Sequence, residues 1–464
     1  MYGGVDPAEP GHWTESMNTA VIGLVMVTLA SGANNVPATT DNDDSCEITV
    51  APAATLLLPF FDVNIDAPGE TTIFTVTNVT SAPQIARVTV WTDWAYPVLT
   101  FNLFLAGYDL QSINLYDILA RGIVAPGGPG PTGLVAESGS VPGPDDSNPN
   151  IASCSEARPP GTLSNELLDS LQTLLTRGLY DITGTTGCGR TRVGGSHTNA
   201  RGYVTIDVVA DCTSVFPNNP LYYDAHILFD NVLIGDYQQL NGGAAAGDFA
   251  RGSPMVHIRA IPEGGPAGSI PPDVTSLPYT FYDHYTPASN RKVDRRVPLP
   301  STFAARWIEN GTGGVQTNYK IWREGVTVGD QTSTCSGAAL NSAMPFAEVI
   351  RFDERENSFG YSPCYIHNCN EAPRSSASYM ISSSSNLFPF HGLSPDVGGW
   401  MYLDLDNQPP SGTPSRPSQN WVVISMTAQG RYAFDFDAAH FGNGCTAASI
   451  RPNPDIGPAP NVTP

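Results

Sequence analysis

Apolar and polar side chains alternate with a period of two through several short runs between residues 47 and 120. In "TTIFTVTNVT", Phe74 and Val76 fall on one face and the intervening threonines on the other. The runs "IARVTVWTDW" and "VLTFNLFLAG" alternate in the same way, "LQSINLYDIL" adds a further strand, and turn residues separate the runs. A two-residue period with β-branched and aromatic enrichment predicts antiparallel strands. Strands at this spacing predict an immunoglobulin-like β-sandwich.

A composition change divides the chain after this first region. Residues 121–162 are rich in Gly, Pro and Ser, which is typical of a linker or a long loop. Further alternating runs, such as "RGYVTIDVVADC" and "NWVVISM", then predict more β structure. We expect an all-β, mainly antiparallel chain with two sandwich-like domains, one amphipathic helix and long Gly/Pro-rich loops. The expected segments are a leader at 1–38, an N-terminal β-sandwich-like domain at 45–120, a linker at 121–162, a larger β-rich domain at 163–450 and a Pro-rich tail at 451–464.

One stretch, residues 164–177, has helical periodicity. Its leucines at 167, 168, 171, 174 and 175 form a single stripe. Ser164 is a suitable N-cap, and Gly178 stands where a left-handed C-terminal stop is favoured. The polar face holds no cluster of Lys or Arg, so we expect the stripe to pack on a β-sheet and not on a membrane.

The N-terminal region predicts export. Ala20–Ala30 is an apolar stretch of the length of a signal-peptide core, followed by small residues suited to cleavage. No Lys or Arg precedes Arg87, so the usual positive charge is missing, and a buried strand or helix is the alternative. We expect a secreted or cell-surface bacterial protein whose mature chain has no membrane span.

The cysteine count agrees with an oxidising compartment. There are eight cysteines, an even number that predicts disulfides in an exported chain. In "CYIHNC", His367 lies between two of them, which leaves a metal site or a reactive thiol pair as alternatives. No second close Cys pair exists, so disulfides are favoured. The disulfide candidates are Cys46, Cys154, Cys188, Cys212, Cys335, Cys364, Cys369 and Cys445.

Charge and motif content argue against several function classes. The net charge of −22 repels phosphate backbones, so we expect no nucleic-acid partner. The sequence lacks GxSxG, HExxH and a P-loop, and we assign no catalytic residue. Ser196 and His197 are adjacent and point apart in an extended chain, so they do not indicate a triad. His257 shares a strand face with Met255 and Arg259, which favours a solvated face.

Two acidic pairs are the most notable polar feature. "YLDLDN" contains Asp404 and Asp406, and "FDFD" contains Asp435 and Asp437. Carboxylates this close repel unless water, Arg or a cation screens them, and Ca²⁺ accepts such oxygen-rich sites. The four residues are therefore candidate calcium ligands. A hydrated outer face and a glycosidase carboxylate pair are the alternatives.

Tryptophans provide the remaining candidate for ligand binding. Six of the seven, at 91, 94, 307, 322, 400 and 421, fall in or beside predicted strands. Exposed aromatic rings stack on sugars, whereas strand tryptophans more often fill the core. We expect most of them in the core.

The run from "LLLPFFDVNI" to "SINLYDIL", together with "FAARWIENGTGGVQTNYKIWREG" and "GGWMYLDLDN", resembles an uncharacterised group of exported bacterial β-rich proteins. The resemblance implies export and a β-rich fold, and it carries no activity and no functional residue.

The sequence thus favours a secreted or cell-surface structural or adhesion protein without catalytic activity that assembles with itself or with other surface proteins. The alternatives are a secreted carbohydrate-active enzyme or carbohydrate-binding module, with polysaccharide as its partner, and a calcium-dependent adhesion module. We expect no cofactor other than calcium.

Overall fold

The structure is a computed structural model of the chain. It describes a set of segments that carry the strands, and all structural statements below concern them. These segments are residues 51–124, 162–181, 190–212, 215–217, 222–241, 250–260, 296–297, 299–308, 314–323, 348–363, 378–382, 398–405, 419–428 and 432–441.

Twenty strands run through these residues. In chain order they are β1 (Thr55–Val63), β2 (Glu70–Asn78), β3 (Gln84–Thr92), β4 (Pro97–Leu105), β5 (Leu110–Asn114), β6 (Leu179–Asp181), β7 (Arg190–Arg192), β8 (Ala200–Val209), β9 (Leu233–Asn241), β10 (Arg251–Pro254), β11 (Val256–Ile258), β12 (Thr302–Ile308), β13 (Val315–Arg323), β14 (Glu348–Asp353), β15 (Ser358–Pro363), β16 (Ser378–Ser382), β17 (Gly398–Asp404), β18 (Asn420–Ala428), β19 (Tyr432–Asp437) and β20 (Ala439–Phe441).

Four main sheets contain most of these strands. Sheet I has the order β11-β1-β8-β3-β4, sheet II β10-β9-β2-β5, sheet III β15-β14-β17-β12-β20 and sheet IV β16-β13-β18-β19. β6 and β7 form a small separate ribbon. The strand pairings within these sheets are antiparallel, which confirms the expectation of a mainly antiparallel β protein. Sheets I and II each combine strands from residues 55–114 with strands from residues 200–258.

Sheet I is buried on both faces, which explains its strongly apolar strands. Leu56 and Leu58 of β1 join sheet II in one hydrophobic core. Leu57, on the opposite face, belongs to a second core that includes Phe303 of sheet III and Tyr319 of sheet IV. Because successive side chains of a strand point to opposite faces, alternate residues of β1 serve different cores. The face of β3 that carries Arg87 and Thr89 is also turned towards this second core, and both side chains are buried.

Two α-helices occur in the described residues, α1 (Leu115–Leu119) and α2 (Asn165–Arg177). α2 confirms the predicted helix. The Ser164 side chain accepts a hydrogen bond from the Leu167 amide, and Gly178 ends the helix with φ 61°. Leu171 and Leu175 pack into the core shared by sheets I and II.

The strand predicted from "LQSINLYDIL" is only half correct. β5 ends at Asn114, and α1 follows at once. The Asn114 side chain accepts a hydrogen bond from the Tyr116 amide at 3.0 Å, and this cap starts a helical turn where the apolar pattern alone suggested a continued strand.

Candidate functional site

The structure describes three of the four predicted calcium ligands and places them in two sheets. Asp404 ends β17 in sheet III, where Thr302 and Glu348 are its register neighbours. Asp435 and Asp437 lie on β19 in sheet IV. Asp406 lies outside the described residues. Asp404 and the pair Asp435 and Asp437 are therefore parts of different sheets.

Asp435 is the centre of a buried polar cluster. β18 lies between β13 and β19, and its Ser425 pairs with Asp435 while its Val423 pairs with Asp437. Val423 also pairs with Lys320 of β13. Asp435, Asp437 and Lys320 therefore project from the same face of sheet IV.

The charged ends of Lys320 and Asp435 meet on this face. Lys320 Nζ contacts Asp435 Oδ2, and both side chains are 0% exposed. Lys320 Nζ also lies 5.5 Å from the ring centroid of Tyr237 of β9. Arg251 of β10 donates a hydrogen bond from Nη1 to Ser425 Oγ at 3.1 Å. We call Lys320, Asp435, Asp437, Tyr237 and Arg251 the Lys320 cluster. It joins sheet IV to the β9–β10 end of sheet II.

Burial perturbs the acid–base properties of this cluster. Burial lowers the pKa of Lys320 to about 8, although the negative charge of Asp435 opposes the change. Burial raises the pKa of Asp437 to about 6, against the hydrogen bond from Trp421 and together with the charge of Asp435. Burial also raises the pKa of Tyr237 well above its usual value of 10.0. The pKa values of Lys320 and Asp437 therefore both lie closer to neutral pH than those of the free side chains.

The described residues of the Lys320 cluster do not form a set of metal ligands. Within the described segments, no group of three or more His, Cys, Asp or Glu side chains could hold a metal ion. The cation that the structure places against Asp435 is the ammonium group of Lys320. The calcium expectation stays a prediction.

A second buried network crosses sheet I. Thr55, Asp207, Arg87 and Asn102 are successive register partners on four neighbouring strands. Asp207 accepts hydrogen bonds from Thr55 Oγ1 and from the Tyr222 hydroxyl, both at 2.7 Å. We call these four residues the Asp207 row. They lie on the face of sheet I that is turned towards sheets III and IV.

Two arginines contribute charge to this network. Arg87 Nη1 donates to Asn102 Oδ1 at 3.1 Å. Arg296 Nη1 lies 3.6 Å from Asp207 Oδ1, and both side chains are fully buried. A buried carboxylate therefore faces guanidinium groups from two separate parts of the chain.

The structure buries His257, which the sequence placed on a solvated strand face. His257 is buried and not solvated: it lies on β11, a strand of sheet I, and its Nε2 accepts a hydrogen bond from the Gly235 amide of β9 in sheet II at 3.0 Å. His197 Nε2 lies 2.9 Å from Asp93 Oδ2. The other carboxylate oxygen, Asp93 Oδ1, accepts a hydrogen bond from the Gly195 amide at 2.8 Å. His197 thus pairs with an acid about a hundred residues away, and Ser196 beside it is exposed.

The tryptophan interpretation is confirmed. Five of the six strand-associated tryptophans are buried, at positions 91, 94, 307, 322 and 421. Trp91 stacks on Tyr203 with 5.5 Å between ring centroids and donates from Nε1 to Thr205 Oγ1 at 2.8 Å. Trp400 is the half-buried member, and it stacks on Phe352 at 4.1 Å.

Cys212 is the one predicted disulfide cysteine that falls in the described segments, and it is disulfide-bonded. The other seven, Cys46, Cys154, Cys188, Cys335, Cys364, Cys369 and Cys445, lie outside these segments, as does His367.

Sequence reasoning missed Lys320 and Asp207 because their partners are distant in the chain. One signal was available for Lys320. It is one of two lysines in 464 residues, and it lies inside the apolar run "NYKIW". A lysine flanked by Tyr319 and Ile321 in a strand indicates a buried charge that needs a partner.

Comparison of the chain with protein-family models, with curated proteins and with solved structures finds no match. In the described segments, no helix is long and apolar enough to span a membrane.

Proposed function

We propose that the chain is a secreted or cell-surface structural or adhesion protein that works without catalysis. Sheets I and II would form one immunoglobulin-like sandwich, and sheets III and IV a second one stacked against it. The shared core of sheets I and II and the second core, which continues from sheet I into sheets III and IV, support this arrangement. Disulfides, including that of Cys212, would add stability outside the cell.

The observation that carries this proposal is the burial of the polar clusters. Lys320 and Asp435 are sealed between sheets, and Asp207 and Arg296 are fully buried. Charged groups in such places bond to one another and do not face a substrate. Catalytic sites instead bring perturbed groups together in a cleft that a substrate can enter. The buried groups with shifted pKa values in this chain therefore support a structural role.

Assembly of copies is expected at a sheet edge. β5 is an edge strand of sheet II, and Leu110 at its start is 56% exposed. Tyr108, in the turn before it, is 72% exposed. An edge strand presents unpaired backbone groups that can add a strand from a neighbour. We assign this edge to contacts between copies of the chain.

Sedimentation over a protein concentration series, with and without calcium, tests this assignment. The wild-type chain should assemble as its concentration rises, and Leu110→Lys should stay monomeric. Leu167→Lys is the matched control, because Leu167 is also exposed but lies on α2 and not on a sheet edge. A wild-type chain that stays monomeric throughout would refute assembly, and equal effects of both variants would refute the role of β5.

One observation favours a second function, carbohydrate binding. Trp400 and Phe352 stack on sheet III next to two glutamates. Trp400 Nε1 donates to Glu356 Oε2 at 3.1 Å, and Glu354 Oε1 pairs with Arg306 at 2.6 Å, both in exposed positions. A half-exposed indole offers an apolar ring surface, and the carboxylates beside it offer hydrogen-bond acceptors for sugar hydroxyls. We name these five residues the Trp400 patch.

Binding of polysaccharides in affinity electrophoresis tests the Trp400 patch. Carbohydrate binding predicts retardation that Trp400→Ala abolishes and that Trp421→Phe, a change in the core, leaves in place. Equal mobility in gels with and without a broad set of polysaccharides would eliminate this function.

A further inference from the structure

The contact between Lys320 and Asp435 has three properties that together are unusual. The two groups touch, both side chains are 0% exposed, and they come from strands separated by β18. A buried ion pair bears a large desolvation cost, which is recovered only when further hydrogen bonds satisfy the remaining polar atoms. Asp435 Oδ1 is buried and has no hydrogen-bond partner among the residues that the structure describes. As an ion pair, this contact therefore leaves one carboxylate oxygen unsatisfied.

The surroundings make the neutral form of the Lys320 amine more accessible. Burial lowers the pKa of Lys320 to about 8, so a neutral amine is accessible near physiological pH. The positive charge of Arg251 acts in the same direction, whereas the negative charges of Asp435 and Asp62 oppose it. Tyr237 is fully buried, and its ring lies beside Lys320 Nζ. A neutral amine against a carboxyl group, shielded from water, is the starting geometry for an amide bond.

We infer that Lys320 and Asp435 form an intramolecular isopeptide bond, with the amide nitrogen from Lys320 and the carbonyl from Asp435. In the ion pair, a proton passes from the Lys320 ammonium to the Asp435 carboxylate. The Nζ lone pair then attacks Cγ of Asp435, a Cγ–Nζ bond forms and one Cγ–O bond breaks. The departing hydroxyl takes one amine proton and leaves as water, so the reaction needs no oxidant, reductant or co-reactant.

Asp437 supplies a carboxyl group for the proton movements. It lies two residues further along β19 on the same face as Asp435, and Trp421 Nε1 donates to its Oδ1 at 3.0 Å. Burial raises the pKa of Asp437 to about 6, so it can both accept and return a proton near neutral pH. We assign Asp437 the transfer of the amine proton to the departing oxygen.

Pre-organisation lowers the barrier to the condensation. Holding two groups in contact gives an effective molarity of up to about 10⁵–10⁸ M in well-oriented systems. The released water leaves a site that excludes solvent, so the reverse hydrolysis is disfavoured. The bond would join β13 to β19 across β18 and close a loop that spans 115 positions of the chain. Such a link would hold the C-terminal strands together when disulfides are reduced.

The test is the intact mass of the purified, fully reduced full-length chain. We expect it to be lower than the sequence mass by one water molecule. Tryptic digestion should give one branched peptide that contains Lys320 and Asp435, with no cleavage after Lys320. A full sequence mass, or a mass deficit located at any other residue pair, would overturn the inference.

Two matched variants complete the test. Lys320→Arg keeps the positive charge but should remove the mass deficit and the branched peptide. Lys292→Arg makes the same change at the only other lysine and should keep both. The wild-type peptide map decides the question even if Lys320→Arg fails to fold. Asp437→Asn should lower the cross-linked fraction, and full cross-linking in this variant would overturn the role of Asp437. The bond does not depend on the proposed assembly, because mass and sedimentation are measured separately.

Discussion

Replacing Asp207 by Asn should strongly destabilise the fold. The Asp207 side chain is fully buried and accepts hydrogen bonds from Thr55 and Tyr222. Asn has nearly the same shape, so packing is preserved. The substitution removes the one negative charge of the Asp207 row, which faces the guanidinium groups of Arg87 and Arg296.

The size of the effect follows from the cost of burying these arginines. Burial lowers the pKa of Arg87 from its usual 12.5 to about 10, although Tyr222 and Asp207 oppose the change. At about 1.4 kcal/mol per pKa unit, this difference corresponds to a cost of about 3 kcal/mol while Asp207 is still present. Removing one partner of a buried charge pair typically costs about 3–5 kcal/mol. We expect Asp207→Asn to lower the free energy of unfolding by about 3–5 kcal/mol.

Urea unfolding followed by tryptophan fluorescence at neutral pH measures this free energy. The matched control is Asp117→Asn, since Asp117 pairs with Arg121 in an exposed position. Exposed pairs contribute about 0–1 kcal/mol, so the control should hardly change the unfolding midpoint. If Asp207→Asn unfolds at the same urea concentration as Asp117→Asn, the Asp207 row does not stabilise the stacked sheets and the reasoning fails.

Three further results are expected. Leu171→Ala should lower the free energy of unfolding by about 2–5 kcal/mol, because Leu171 is in the core, whereas Leu167→Ala should have almost no effect. Gly178→Ala should lower the free energy of unfolding by about 1–3 kcal/mol, because φ at Gly178 is 61° and an added Cβ would meet backbone atoms. An unchanged unfolding midpoint in urea would refute this strain. A calcium chelator should leave the Tm unchanged, because Lys320 already neutralises Asp435; a fall in Tm would instead support the calcium-dependent adhesion module.

Local patterns predicted the elements of the fold well. Phe74 and Val76 are buried on one face of β2, as the alternation in the sequence indicates. α2 begins after Ser164 and ends at Gly178 because the capping preferences of Ser and Gly act within a few residues. Such signals depend only on residues close together in the chain, so the sequence predicts these elements directly.

The partners of these elements could not be predicted in the same way. β1 pairs with β8, and Thr55 meets Asp207 about 150 positions later. The alternation in β3 marks one polar face, but it does not say whether water or another sheet covers it. In the structure Arg87 and Thr89 on that face are buried.

The candidate site shows the same limit. The sequence identified Asp435 and Asp437 as a pair that needs a neutralising group, and this physical requirement is met in the structure. The neutralising group is Lys320, which is 115 positions away in the chain and which no local pattern connects to β19. Repulsion between carboxylates predicts a cation but does not distinguish a metal ion from an ammonium group.

Amine labelling of the native full-length chain tests the central claim most directly, namely that the polar clusters are sealed between sheets and bonded internally. An amine-reactive reagent is applied to the folded protein, and the extent of labelling at Lys320 is read by mass spectrometry. Lys320 should stay unlabelled in the folded chain, and it should stay unlabelled after unfolding too if the isopeptide bond has formed. Labelling of Lys320 in the folded chain at the rate of a free lysine peptide would contradict the account.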